Sequence, residues 1–128
     1  MDLDKPKKIF IVDDDAMLTE ALKDYLTRRT QNEIHVFSTG EECLRHLSQN
    51  PDVIILDYYL NTVQKDAANG MEILQVIKKH YPGLHVIMLS NQERYAIALQ
   101  TIQKGAEQYV IKDENSFGKI AAMIRELK

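Results

Sequence analysis

Three short runs in this chain are apolar from end to end. Ile9-Phe10-Ile11-Val12, Val53-Ile54-Ile55-Leu56 and Val86-Ile87-Met88-Leu89 contain no polar residue and are rich in β-branched side chains. A strand with one wet face alternates polar and apolar positions. Unbroken runs therefore predict strands buried on both faces, as in a parallel sheet covered by helices on each side. Segments of helical spacing separate the runs. Leu18, Leu22, Tyr25 and Leu26, with Ala21, share one predicted inward face; Tyr95, Ala98, Leu99 and Ile102 repeat the pattern, as do Phe117, Ile120, Ala121 and Ile124. Ile97 falls off its stripe and is expected to be exposed. Met71, Leu74 and Ile77 mark another helix, stopped by Pro82-Gly83, and Lys104-Gly105 ends the next. The shortest helix begins at Thr39-Gly40-Glu41-Glu42, a capping-box spacing, and turns Cys43, Leu44 and Leu47 inward. With weaker strands at Ile34-His35-Val36-Phe37 and Tyr109-Val110-Ile111, five strands alternate with five helices. That alternation predicts a doubly wound α/β fold, a three-layer sandwich of five parallel strands.

Composition narrows the function classes. A chain of 128 residues is the size of one domain, and we expect a single one over 1–128 with its core at about 7–127. The net charge of −3 argues against bulk nucleic-acid binding. No apolar run exceeds five residues, and the segment after Met1 lacks the apolar core of a signal peptide, so neither a membrane contact nor export is expected. The one cysteine, Cys43, has no internal partner and fits a reducing, cytoplasmic setting. The stretch 58–69 is mostly polar and longer than connections in such folds usually are, which is expected of a working loop or a mobile one.

In open α/β sheets ligands sit outside the carboxyl ends of the strands, where the strand order reverses. Here the first strand runs into Asp13-Asp14-Asp15, the third into Asp57, the fourth into Ser90 and the fifth into Lys112. In the order 2-1-3-4-5 the first and third strands are neighbours at the reversal, which brings Asp13, Asp14 and Asp57 together. Clustered carboxylates repel, and a hard divalent cation such as Mg²⁺ relieves the repulsion. Lys112 and Ser90 supply an ammonium and a hydroxyl suited to phosphoryl oxygens. Together these groups predict phosphoryl transfer to a carboxylate nucleophile, with Asp15 expected to cap the following helix.

Four pieces, Ile-Phe-Ile-Val-Asp13-Asp14-Asp15, Ile-Ile-Leu-Asp57, Ile-Met-Leu-Ser90 and Tyr109-Val-Ile-Lys112, resemble the signatures of the receiver domains of two-component response regulators, in order and over almost the whole chain. The resemblance implies a flavodoxin-like fold in which Asp57 accepts a phosphoryl group from a sensor histidine kinase or a phosphotransfer protein. It implies that Asp14, Asp57 and the backbone carbonyl of Tyr59 ligate Mg²⁺ with Asp13 in support. Ser90 and Lys112 would hold phosphoryl oxygens, and Ser90 and Tyr109 would act as the switch. The output would be a downstream protein bound on the fourth helix, fifth strand and fifth helix, about 92–128. Three positions depart from the family pattern: Asn61 where Pro is common, Gly70 arriving thirteen residues after Asp57, and Asp113 where many members carry Pro. Asn91 is also bulkier than the residue usual beside the serine.

Two other readings compete. Phe-Ile-Val-Asp13-x-Asp15 resembles the first motif of haloacid-dehalogenase-type phosphohydrolases, with Asp13 as nucleophile and Asp15 as acid/base, but that reading leaves Asp57 unused and needs an acidic pair after a later strand, where only a helix is expected after Lys112. A pseudo-receiver, an interaction module without a phosphate cycle, predicts missing acids or a missing lysine, and all are present. The leading expectation is a signalling switch that catalyses only its own phosphorylation and dephosphorylation, a monomer when unphosphorylated. It is either a stand-alone regulator or a domain from a longer protein.

Overall fold

The computed structural model describes residues 6–29, 31–60, 66–91 and 95–127. Five strands, β1 (Lys8–Val12), β2 (Glu33–Phe37), β3 (Val53–Asp57), β4 (His85–Ser90) and β5 (Gln108–Ile111), form one sheet in the order β2-β1-β3-β4-β5. All four pairings are parallel. The helices are α1 (Ala16–Arg29), α2 (Gly40–Leu44), α3 (Gly70–His80), α4 (Tyr95–Gln103) and α5 (Ser116–Glu126), with a 3₁₀ turn at Leu47–Gln49.

The chain steps from β1 outward to β2, then returns past β1 and continues through β3, β4 and β5. Right-handed crossovers then place α1 on one face and α2, α3 and α4 on the other. The apolar runs divide accordingly. Phe10, Val12, Ile54, Leu56, Val86 and Met88 pack with Cys43, Ile73, Leu74 and Ile77 of α2 and α3. Ile9, Ile11, Val53, Ile55, Ile87 and Leu89 pack with Leu22, Leu26, Ile120 and Ile124 of α1 and α5. Tyr25 of α1 and Phe117 of α5 close that layer with ring centroids 5.6 Å apart. Fully buried runs without alternation are what two covered faces require.

Helix boundaries follow local chemistry. Asp15 caps α1, its Oδ1 accepting from Leu18 N–H at 3.2 Å. Thr39 caps α2 through Glu42 N–H, after which a 3₁₀ turn rather than α-helix carries Leu47 to the core. α4 ends before Gly105, whose φ of +110° needs a residue without Cβ.

Two helix faces differ from the periodicity. Ala21 is exposed on α1. On α4 the predicted inward residues Tyr95, Leu99 and Ile102 are 85%, 49% and 42% exposed, while Thr101 is wholly buried and Ile97, expected outside, is half-buried. Thr101 pays no hydrogen-bond penalty for its burial: its hydroxyl donates to Ala98 O at 2.8 Å and its carbonyl accepts from Ala106 N–H. Satisfied locally, a threonine can take the inward position and leave the larger apolar side of the helix in solvent. Within 58–69, Leu60 is fully buried in the α2–α3 layer, so the polar stretch is anchored by an aliphatic residue near its start.

Candidate functional site at the carboxyl edge of the sheet

The reversal of strand order between β1 and β3 opens a crevice at their carboxyl ends, and the predicted residues meet there. Asp13 follows β1 and is buried, and Asp57 is the last residue of β3 and is also buried. Asp14, next to Asp13, is partly exposed. Each of the three offers a carboxylate oxygen within 4.8 Å of the others. Lys112, just beyond β5, reaches across to place its ammonium 3.0 Å from Asp13 Oδ2 and 3.4 Å from Asp57 Oδ1. Ser90, the last residue of β4, is fully buried. Its hydroxyl shares a hydrogen bond with the hydroxyl of Tyr109, a half-buried residue of β5.

Backbone groups fix the acids in place. Asp13 N–H donates to Phe37 O at 3.1 Å, and Asp13 Oδ1 accepts from Asp15 N–H at 3.0 Å. Asp57 Oδ1 accepts from Tyr59 N–H at 3.3 Å, which holds the Tyr59 peptide beside the cluster. Lys112 N–H donates to Ser90 O at 2.7 Å, tying the lysine-bearing turn to the end of β4. In that turn Asp113 Oδ1 accepts from Asn115 N–H at 2.8 Å, and α5 begins directly after it. Asn91 is exposed beside Ser90. Asn61, and the positions from 92 to 94, lie outside the described residues.

The electrostatics follow from burial. Loss of solvent, and then the neighbouring Asp13 carboxylate, push the Asp57 carboxyl up to about 7, against the opposing pull of Lys112 and the Tyr59 amide. For Lys112 burial disfavours the ammonium, but the Asp57 and Asp13 carboxylates outweigh it and the net shift is upward. The Lys112 ammonium is therefore held charged among acids that repel one another. Asp13 Oδ2 is sealed from solvent and, among the described residues, no hydrogen-bond donor is aligned on it, so the lysine neutralises it only as a nearby point charge. A hard, all-oxygen donor set with a buried, under-satisfied carboxylate oxygen suits a small divalent cation.

Two features were not read from the sequence. Asn69 and Glu72 form a complete capping box at the start of α3, Glu72 N–H to Asn69 Oδ1 and Asn69 N–H to Glu72 Oε1, both at 3.0 Å. Its Asn-x-x-Glu spacing was available as a signal. Gly70, which follows, lies against the backbone of Asp57 and Tyr58; no local pattern announces a contact across thirteen residues.

Comparison with known proteins agrees with this geometry. The family model for the response regulator receiver domain matches residues 9–125. The chain is 25% identical to the chemotaxis protein CheY of Thermotoga maritima over 107 residues, covering 83% of this chain and 85% of that protein. It is 34% identical to the probable C4-dicarboxylate response regulator DctR of Bacillus subtilis over 113 residues, 84% of this chain but 46% of DctR. Against the protein-glutamate methylesterase/protein-glutamine glutaminase of Pyrococcus horikoshii the identity is 31% over 125 residues, 94% of this chain and 32% of that protein. The chain thus spans about half or less of these longer relatives. Among solved structures, the BeF3-activated receiver domain of Thermotoga maritima DrrB superposes with a TM-score of 0.82 at 27% identity, covering 95% of this chain and 97% of that one. No helix among the described residues is long and apolar enough to cross a membrane. A five-stranded parallel sheet in this order, an acid cluster at its carboxyl edge and a family match over nearly the full length place the chain in the response regulator receiver domain family, with the flavodoxin-like fold of that family.

Proposed function

We propose that the chain is a phosphorylation switch in which Asp57 accepts a phosphoryl group from a sensor histidine kinase or a phosphotransfer protein, in a reaction that requires Mg²⁺. The observation that carries this reading is the convergence on Asp57 of two further carboxylates and one ammonium, at the distances given above. Asp57 also lies inside the acid cluster, where a hydrolase acting through Asp13 would leave it without a role.

An Asp57 carboxylate oxygen attacks the phosphorus of a phosphoimidazole. The O–P bond forms as the P–N bond breaks, and the imidazole nitrogen keeps the electron pair. Asp14, Asp57 and the Tyr59 carbonyl, with Asp13 in support, would hold Mg²⁺, which when bound would neutralise the phosphoryl oxygens. Lys112, already beside Asp57 Oδ1, gives up its carboxylate contact for a phosphoryl oxygen. The Ser90 hydroxyl donates to another. When Ser90 turns toward the phosphoryl group it must exchange its bond with Tyr109, which releases the ring to repack between β5 and α4. The new surface on α4, β5 and α5 then changes affinity for a downstream protein. On this reading the domain occupies 1–128, works in the cytoplasm, and touches neither nucleic acid nor membrane itself. Its only catalysis is its own phosphorylation and dephosphorylation.

Incubation with acetyl phosphate and Mg²⁺ tests the reading by intact mass. A gain of ~80 Da per phosphoryl group that needs Mg²⁺ and is absent from Asp57→Asn is expected. Steady phosphate release that persists in Asp57→Asn would replace the switch with a hydrolase. A folded protein that takes up neither phosphoryl group nor beryllofluoride would make it a pseudo-receiver.

A further inference from the structure

Among the described residues, the loop after β3 meets the backbone of the site again at Gly70. Gly70 N–H donates to Tyr58 O at 2.7 Å, and a Cβ built on Gly70 would overlap Asp57 O and lie 2.6 Å from Tyr58 Cα and 3.0 Å from Asp57 C. All three of those atoms belong to backbone, which has no rotamer by which to retreat. On the other side the same segment is pinned by β4: Asp57 pairs in register with Leu89, and Tyr58 N–H donates to Leu89 O at 3.2 Å. The phosphoacceptor peptide is therefore clamped between a strand and the first residue of a helix. The helix end is itself held, by the Asn69–Glu72 capping box and by Glu41 Oε2, which accepts from Ala68 N–H at 2.9 Å.

Resting on the reading of Asp57 as phosphoacceptor, we propose that Gly70 is a positioning residue for the site: its lack of a side chain sets the distance between the start of α3 and the Asp57–Tyr58 backbone, and so aims the Asp57 carboxylate and the Tyr59 carbonyl. This accounts for the tolerance of a long loop beside the reacting group. The closing contact is backbone on backbone and needs only a glycine at its landing point, whatever the length of the loop that delivers it.

Gly40 provides the control. It also packs tightly in the α2–α3 layer, but the three atoms nearest a Cβ built there all belong to the Ile73 side chain, Cγ1, Cδ1 and, at 3.1 Å, Cβ, whereas those nearest a Cβ on Gly70 are backbone atoms of Asp57 and Tyr58. Gly70→Ala and Gly40→Ala should both lower stability. Of these two glycine variants, Gly70→Ala alone should weaken Mg²⁺ binding, by about tenfold or more as changes to residues supporting metal ligands do, and slow phosphorylation by acetyl phosphate in the folded fraction. Asn69→Ala, which loosens the same helix end without a clash, should weaken Mg²⁺ binding in the same direction by a smaller factor. A metal-free crystal structure of Gly70→Ala adds a readout that does not depend on the phosphorylation reading: the Asp57 carboxylate should move away from the Lys112 ammonium, now 3.4 Å from it. Failure of the wild type to bind Mg²⁺ would count against the function proposed above, while the crystallographic displacement would still decide the role of Gly70. Equal Mg²⁺ loss in Gly40→Ala, or an Asp57 carboxylate that stays in place while α3 alone shifts, would overturn the proposal.

Discussion

α3 and α4 are successive crossover helices of eleven and nine residues, and they are held very differently. α3 opens with a full capping box, buries Gly70, Ile73, Leu74 and Ile77, and rests on the backbone of Asp57. α4 buries Thr101 and turns Tyr95, Leu99 and Ile102 to solvent. Burial of three large aliphatic side chains stabilises α3 in place by several kcal/mol, roughly 1.5–3 per side chain. Among the described residues, α4 buries no large aliphatic side chain to match them. The helix that rests on the Asp57 backbone is thus the better anchored, and the helix packed against β5, which carries Tyr109, is held by less burial. A switch needs that division: a site whose geometry is fixed before the reaction, and a neighbouring surface that is not.

The contrast can be broken most directly in the two helices themselves. Leu74→Ala should destabilise the protein by about 2–5 kcal/mol through lost burial and a cavity, whereas Leu99→Ala should stay within about 1 kcal/mol. Urea denaturation of both variants measures this, and similar losses would erase the distinction.

The next effect is on the clamped carboxylate. Burial raises the Asp57 carboxyl from 3.8 to about 7 in the folded protein, so between those values the folded state binds more protons than the unfolded chain. Stability therefore falls as pH climbs through that window, and the penalty is fully present above it. Asp57→Asn should remove the penalty and raise stability at pH 8 by roughly 1–3 kcal/mol, with little gain at pH 4. Chemical denaturation at the two pH values, without Mg²⁺, tests the sign, and an equal gain at both would show that burial of charge is not the cause.

Smaller effects sharpen the comparison at its edges. Asn69→Ala should cost about 1 kcal/mol and speed amide exchange in the first turn of α3 while leaving α4 unchanged. Tyr109→Phe removes the hydroxyl that meets Ser90 and should cost about 0.5–1.5 kcal/mol or less. Phosphoryl uptake should be retained, but the α4 amides should no longer shift on phosphorylation. Loss of uptake in Tyr109→Phe would count against the proposed switch role and give the tyrosine a part in the reaction itself.

Much of the site was legible because each of its residues ends a run with an unmistakable pattern. Asp13, Asp57 and Ser90 terminate apolar strands, and a parallel sheet with a reversal in strand order has one place where such ends meet. Lys112 follows a weaker strand but is found by the same rule. The orientation of α4 was not legible, since a period of 3.6 finds an apolar stripe without saying which way it faces. The burial of Thr101 depends on hydrogen bonds to Ala98 and from Ala106 that only the folded chain makes. Leu60 and Gly70 were hidden for a related reason: each takes its meaning from what packs against it.

By itself, then, the order of residues determined the alternation of strand and helix, the parallel sheet and the set of groups gathered at its carboxyl edge. Those follow from local periodicity and from the need of two-faced strands to be covered. Tertiary structure alone decided the 3.0 Å and 3.4 Å reach of Lys112 to two acids, the hydrogen bond joining Ser90 to Tyr109, the outward turn of α4 and the seat of Gly70 on Asp57. Distances between residues far apart in the chain are set by how whole layers pack, and a local pattern carries no information about the neighbour that packing will bring.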